Sequence, residues 1–167
     1  RDGHLGAPMT PARIPPAVAL ILLAACFETG FVASIPGPVG FLPFTLAAGT
    51  YLTQARGWWG GPWLIAGFGL FCDATGLSPV PGQTVACAAA AAAAWLSARE
   101  LFSNRSLYGI LGCGVAAWSA HAVAQTLVWG IQRWAGGGAS PAAYAAWMGW
   151  RLALCLALLC AFFYAVP

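Results

Sequence analysis

The feature that most constrains this sequence is a series of apolar runs, each close to the length needed to cross a lipid bilayer and each bounded by proline, glycine or arginine. A transmembrane helix needs about 20 residues. Of the 167 residues, 60% are hydrophobic and only 7% are charged, whereas a soluble domain carries about 25% charged residues. The chain is therefore predicted to have a bilayer as its solvent, because it lacks the charged side chains that would cover a water-exposed surface.

Six of these runs predict an all-α membrane protein, a bundle of six transmembrane helices that forms a single domain over residues 14–167. Residues 1–13 form a predicted cytoplasmic tail. Met9 in this tail offers a native start, which would make residues 1–8 upstream or fragment sequence. The second and fourth runs are the short ones. The predicted spans are 16–33, 39–52, 58–75, 80–97, 107–131 and 143–164.

The distribution of arginine predicts the orientation of this bundle, since the chain has no lysine. With the N-terminus inside, the cytoplasmic side receives five arginines, the outside receives Arg133, and Arg151 falls within the sixth run. The positive-inside rule then places both termini in the cytoplasm. The arginines form no basic patch, so no nucleic-acid partner is predicted. The five cytoplasmic arginines are Arg1, Arg13, Arg56, Arg99 and Arg105.

Polar side chains at membrane depth fall mostly toward the outer ends of the predicted spans. An ionised side chain in a bilayer costs at least about 2.5–3.5 kcal/mol, so it normally faces protein, water or a partner. Three interpretations remain open: Arg151 pairs with Glu28 or Asp73 and ties the bundle together, the polar groups line a groove for another protein's helix, or they form a site for a small ligand or ion. The predicted partner- or ligand-binding residues are Glu28, Asp73, Gln83, His121, Gln125 and Arg151.

A row of small residues lies on the fifth predicted span, at Gly112, Ala116 and Ala120. Small residues four apart lie on one helix face and allow another helix to approach closely. The row is therefore a predicted helix-packing face, either inside the bundle or between molecules.

Motifs for catalysis and metal binding are missing from the sequence. It contains no G-x-S-x-G elbow, no H-E-x-x-H helix and no phosphate-binding Walker loop. The six cysteines form no C-x-x-C pair, and His4 and His121 are the only histidines. We therefore predict a non-enzymatic protein with no catalytic residues, no metal site and no cofactor.

The stretch GFGLFCDATGLSPVPGQT carries a resemblance to a known family. A glycine-rich third span that ends in aspartate, followed by Ser-Pro and Pro-Gly before a fourth span, resembles the MreD family of rod shape-determining membrane proteins. Two other stretches are also similar to the sequences of divergent members of that family. They are Pro43-Phe44 and the run Asn104-Arg105-Ser106-Leu107-Tyr108. The residues of the stretch that carry the resemblance are Gly67, Gly69, Asp73, Ser78, Pro79, Pro81 and Gly82.

The resemblance implies a non-enzymatic component of the cell-elongation machinery in the bacterial inner membrane, which directs rod shape and peptidoglycan synthesis. The implied partners are an MreC-like scaffold and wall-synthesis membrane proteins, together with the lipid bilayer. The implied fold is similar to that of the substrate-binding subunits (S-components) of energy-coupling-factor transporters. A vitamin-binding subunit of such a transporter is therefore the alternative function.

Overall fold

The computed structural model describes most of the chain from Ile14 to Ala165, with side chains from Val18 onward. The predicted tail 1–13 lies outside the described residues. Part of the sequence that resembles the MreD family also lies outside them, namely Ser78, Pro79, Pro81 and residues 104–105 of the segment 103–105. The described residues are 14–37, 40, 42–77, 82–102, 106–134 and 140–165.

Within these residues the only regular secondary structure is helical, and the prediction of six helices is confirmed. Two helices are continued by short π-helical turns: the first by Phe27–Phe31 and the fourth by Ser97–Leu101. A 3-10 turn at Val32–Ser34 follows the π-helical turn Phe27–Phe31. The helices are α1 Ile14–Cys26, α2 Phe44–Arg56, α3 Gly60–Thr75, α4 Gln83–Leu96, α5 Leu107–Trp134 and α6 Pro141–Ala165.

Two of the described helices meet the length and composition expected of a membrane span. α5 has 28 residues and α6 has 25, and both are strongly apolar. Val18–Ser34 is a shorter apolar helical segment. These helices are weak support for a membrane protein, in agreement with the apolar composition of the chain.

The two short helices begin later than the apolar runs predict, for local backbone reasons. α2 begins at Phe44, after Pro43, rather than at residue 39. The segment before it is rich in proline and glycine, and proline has no N–H for a helical hydrogen bond. α4 begins at Gln83 because Gly82 adopts a left-handed conformation with φ +80°, which glycine tolerates and a helix interior does not.

α3 crosses α4 at Gly69 with almost no space between the two helices. A Cβ atom on Gly69 would lie 2.7 Å from the carbonyl oxygen of Gln83 and 2.6 Å from Cβ of Cys87. The first of these atoms belongs to the backbone, so it cannot rotate away. Glycine is therefore required here, in agreement with the use of small residues at helix crossings in membranes.

α2 crosses α3 through a second pair of glycines. A Cβ on Gly61 would lie 2.5 Å from the carbonyl oxygen of Gly49, and a Cβ on Gly49 would lie 2.9 Å from the carbonyl oxygen of Gly61. The buried core extends from these crossings to α5, where Cys113 and Ala117 are fully buried. α2, α3 and α4 are thus held in close backbone contact, which fixes the position of the ends that carry polar residues.

Candidate functional site

The carboxylate of Asp73 caps the first turn of α4. It lies in the last turn of α3, one helical turn after Gly69, and its side chain is exposed. Its Oδ1 accepts a hydrogen bond from the backbone N–H of Gln83 at 3.1 Å, and its Oδ2 accepts from the N–H and the hydroxyl of Thr84 at 2.7 and 2.6 Å. The first N–H groups of a helix have no partner within it, and a carboxylate there also interacts favourably with the helix dipole. Asp73 is thus placed where a helix end needs an anion.

Glu28 makes the equivalent contact with α2. It lies in the π-helical turn that follows α1, and its Oε2 accepts a hydrogen bond from the backbone N–H of Thr45 at 2.6 Å. Thr45 is fully buried, so its N–H could not otherwise reach water. Each short helix is therefore capped by a carboxylate from the helix that precedes it. We call the end of the bundle where Glu28 meets Thr45 and Asp73 meets Thr84 the capped end.

Three buried polar side chains form a hydrogen-bonded row beside the caps. Nε2 of Gln125 on α5 donates to Oε1 of Gln83 on α4. Nε2 of Gln83 lies 3.3 Å from Nε2 of His121. Because the amide nitrogen of Gln83 can only donate, Nε2 of His121 accepts and the imidazole proton lies on Nδ1. Among the described residues, Nδ1 of His121 and Oε1 of Gln125 are buried and have no hydrogen-bond partner.

Arg151 on α6 is held by aromatic rings rather than by a carboxylate. Its guanidinium carbon lies 4.9 Å from the ring centre of Trp147 and 5.6 Å from that of Trp118. The Trp118 ring in turn stacks on His121, with centroids 5.5 Å apart. Attraction between a cation and an aromatic face holds the guanidinium in this position. Nε of Arg151 is buried and has no hydrogen-bond partner among the described residues.

The predicted ion pair between Arg151 and a carboxylate does not form in this structure. Within the described residues, neither Glu28 nor Asp73 lies within 4.0 Å of Arg151, and the ion pair that is present joins the exposed Arg99 and Glu100 at 3.2 Å. Both carboxylates instead bind helix N-termini. A direct salt bridge, as in the first of the three interpretations, is therefore not present among the described residues, although Glu28 and Arg151 still attract each other electrostatically.

Four of the six predicted residues line one cavity of about 430 Å³ at the capped end. They come from four different parts of the chain: Glu28 after α1, Gln83 from α4, Gln125 from α5 and Arg151 from α6. His121 adjoins the cavity through Gln83, whereas Asp73 does not line it. Only the folded bundle brings these groups together.

Apolar residues complete the cavity. Phe68, Cys72 and Trp147 line it, and the exposed residues Ala33 and Leu77 place it at the surface of the capped end. Apolar residues of this kind give no separate signal in a sequence that is 60% hydrophobic. Only the helix crossings decide which of them face the cavity.

The small-residue row on α5 borders the buried face rather than forming it. A Cβ on Gly112 would lie 2.4 Å from Cζ of Phe102, so this glycine contributes to packing inside the bundle. Ala116 and Ala120 are half-buried, and their role as a packing face stays a prediction. Gly114, which the sequence analysis did not select, meets Leu159 of α6, with Cδ1 2.3 Å from a Cβ at that position.

Exchanging the charges of Asp73 and Arg151 tests the absence of a direct pair. We expect the double variant Asp73→Arg, Arg151→Asp to melt no higher than either single variant, because an arginine at position 73 would place a cation at the N-terminus of α4. The measurement is protein level in membranes and thermal melting after purification. The exchange Arg99→Glu, Glu100→Arg is the matched control, and we expect it to behave like the original chain because exposed pairs contribute little. Recovery in the first double variant would establish a pair that the structure does not contain.

Comparison with protein-family models, with curated proteins and with solved structures gives no significant match for this chain. The class of protein therefore has to be inferred from the all-helical fold, from the cavity at its capped end and from the residues that line it.

Proposed function

We propose that this chain is a non-enzymatic component of the bacterial cell-elongation machinery that acts by binding other membrane components. The observation that carries the proposal is the assembly of Glu28, Gln83, Gln125 and Arg151 around one cavity. Ionisable residues inside a membrane bundle are costly and mark sites that a partner or ligand uses. The choice of the cell-elongation machinery rests on the resemblance of the α3–α4 stretch to the MreD family. That resemblance implies an MreC-like scaffold and wall-synthesis proteins as the partners.

The proposal includes six membrane crossings with both termini in the cytoplasm of the inner membrane. The two carboxylate caps support it, because a helix that begins below the membrane surface has no water to bind its first N–H groups. α2 and α4, with 13 and 14 residues, are the short helices, and both receive such a cap. The arginine distribution then places the capped end on the outer side.

An affinity pull-down from the native membrane tests this function. The tagged full chain is extracted in mild detergent, and the proteins recovered with it are identified by mass spectrometry. We expect an MreC-like protein or a wall-synthesis enzyme among them, and depletion of the chain should cause loss of rod shape. A chain that recovers neither, and whose depletion leaves cell shape unchanged, would contradict the proposal.

A second function, as the substrate-binding subunit of an energy-coupling-factor-type transporter, is favoured by the size of the cavity. Small-molecule sites usually occupy about 300–1,000 Å³, and this cavity measures about 430 Å³. The same pull-down separates the two functions. Recovery of a transporter's coupling subunit and its ATPases would overturn the elongation proposal and support vitamin binding.

A further inference from the structure

The cavity at the capped end presents separate positions for an anionic group and for a cationic group. We propose that it binds a zwitterionic group, with a carboxylate or phosphate on Arg151 and a primary ammonium facing Glu28 and Oε1 of Gln125. This inference rests on the proposed function only in treating the cavity as a binding site. It goes beyond that function because partner binding does not require such an occupant.

The position for the anionic group of the ligand is defined by Arg151. Its side chain lines the cavity, and its Nε is buried without a hydrogen-bond partner among the described residues. The guanidinium carbon lies 4.9 Å from the ring centre of Trp147 and 5.6 Å from that of Trp118. A guanidinium presents its N–H groups in a planar fork that matches carboxylate and phosphate oxygens.

The position for the cationic group of the ligand is defined by two hydrogen-bond acceptors. Oε1 of Gln125 is buried, belongs to a side chain that is 2% exposed, and has no partner among the described residues. Glu28 lines the same cavity, and its hydrogen bond to the N–H of Thr45 places it at the N-terminus of α2, where the helix dipole favours an ionised carboxylate. An ammonium group donates three hydrogen bonds and suits both acceptors.

Charge balance favours a zwitterion over a simple anion. Glu28 and Arg151 line the same cavity with opposite formal charges, and no salt bridge within 4.0 Å joins them. An anion bound to Arg151 would leave Glu28 without a cation and Oε1 of Gln125 without a donor. A zwitterion pairs with both residues and adds no net charge to the cavity.

The required chemistry has two sources, a free amino acid and the headgroup of phosphatidylethanolamine. Both present an anionic group close to a primary ammonium. Phe68 and Trp147 give the cavity apolar walls, against which a side chain or the start of an acyl chain can pack. The two sources differ in whether the ligand is soluble, so separate probes distinguish them.

Native mass spectrometry of the purified full chain in detergent tests the inference. The probes are dioleoylphosphatidylethanolamine, dioleoylphosphatidylglycerol and leucine. We expect a saturable complex of one phosphatidylethanolamine or one leucine per chain, and at least about tenfold weaker binding of phosphatidylglycerol. Binding of phosphatidylethanolamine identifies a lipid headgroup as the ligand, and binding of leucine identifies a soluble amino acid.

Two variants act on the cavity in different ways. Arg151→Gln removes the anion-binding group, and Ala33→Trp fills the cavity rim while leaving every charged residue in place. We expect each to weaken binding at least about tenfold. Arg133→Gln is the matched control and should bind normally, because Arg133 also lies over a tryptophan ring, Trp129, but does not line the cavity.

Three results would overturn the inference: phosphatidylglycerol binding as tightly as phosphatidylethanolamine, no saturable complex with either zwitterion, or unchanged binding in Ala33→Trp and in folded Arg151→Gln. The pull-down tests the proposed function, and its outcome does not depend on these binding measurements. Zwitterion binding without recovery of elongation proteins would contradict the proposed function alone. Recovery of those proteins without zwitterion binding would contradict this inference alone.

Discussion

Replacing Asp73 with alanine is expected to destabilise the protein by about 2 kcal/mol, the upper range for loss of a helix cap. The change removes the acceptor of three hydrogen bonds from Gln83 and Thr84 and leaves the first turn of α4 without its anion. For a chain of this size the loss corresponds to a fall of about 4–8 °C in melting temperature. A thiol-reactive dye measures the transition, because Cys72, Cys87, Cys113 and Cys155 are buried and become reactive on unfolding.

Two further variants make this result specific to the cap. Glu100→Ala removes another exposed carboxylate, one that pairs with the neighbouring Arg99, and should leave the melting temperature nearly unchanged. Thr84→Val removes one of the three hydrogen bonds and should give a smaller fall than Asp73→Ala. Equal melting temperatures for Asp73→Ala and Glu100→Ala would show that the cap contributes nothing to stability.

Replacing Gly69 with leucine is expected to cause the largest loss of any single change considered, about 3 kcal/mol or more. Even the Cβ atom would lie 2.7 Å from the carbonyl oxygen of Gln83, and the remaining atoms would force α3 away from α4. Separation of the helices would also move Asp73 from the N–H groups it caps, since both contacts depend on the same crossing. We expect little folded protein in membranes and no cooperative melting transition after purification.

Gly130→Leu is the matched control for this collision. Gly130 is also helical, and a Cβ there would have no atom within 4 Å. Because glycine is a poor helix former, its replacement should leave stability unchanged or raise it slightly. If Gly69→Leu accumulates and melts like Gly130→Leu, the close α3–α4 crossing described here is wrong.

The existence of the helices was predictable because apolar runs interrupted by proline and glycine are a strong local signal. Their starting points were less predictable. The beginning of α2 depends on the backbone at Pro43, and that of α4 depends on the left-handed conformation of Gly82. Both starting points are set by the conformation of single residues, so composition alone cannot place the helix ends.

Part of the site was predictable from the cost of polar groups in an apolar chain. That reasoning selected Glu28, Gln83, Gln125 and Arg151, which the fold brings to one cavity. It could not assign their contacts, because helix rotation decides which groups meet. The carboxylate of Asp73 is exposed, yet its hydrogen bonds go to α4.

The contacts of Arg151 were the least predictable. Opposite charges in a sequence with few charges suggest an ion pair, but helix N-termini compete for the carboxylates and tryptophan rings hold the guanidinium. Trp147 lies one turn before Arg151 on α6, so this contact has a sequence signal at a spacing of four residues. The contact with Trp118 on α5 has no such signal.

Each of the two carboxylate caps lies within one half of the chain, the first before and the second after the connection between α2 and α3. Glu28 binds Thr45, and Asp73 binds Gln83 and Thr84, so neither cap spans the connection between α2 and α3. A break in the chain at Gly57 would therefore leave each cap inside a single fragment. The fragments would still have to find each other through the glycine crossing at Gly49 and Gly61. Modularity of this kind comes from the order of acidic residues and helix starts along the chain, and it does not require any repeat in the sequence.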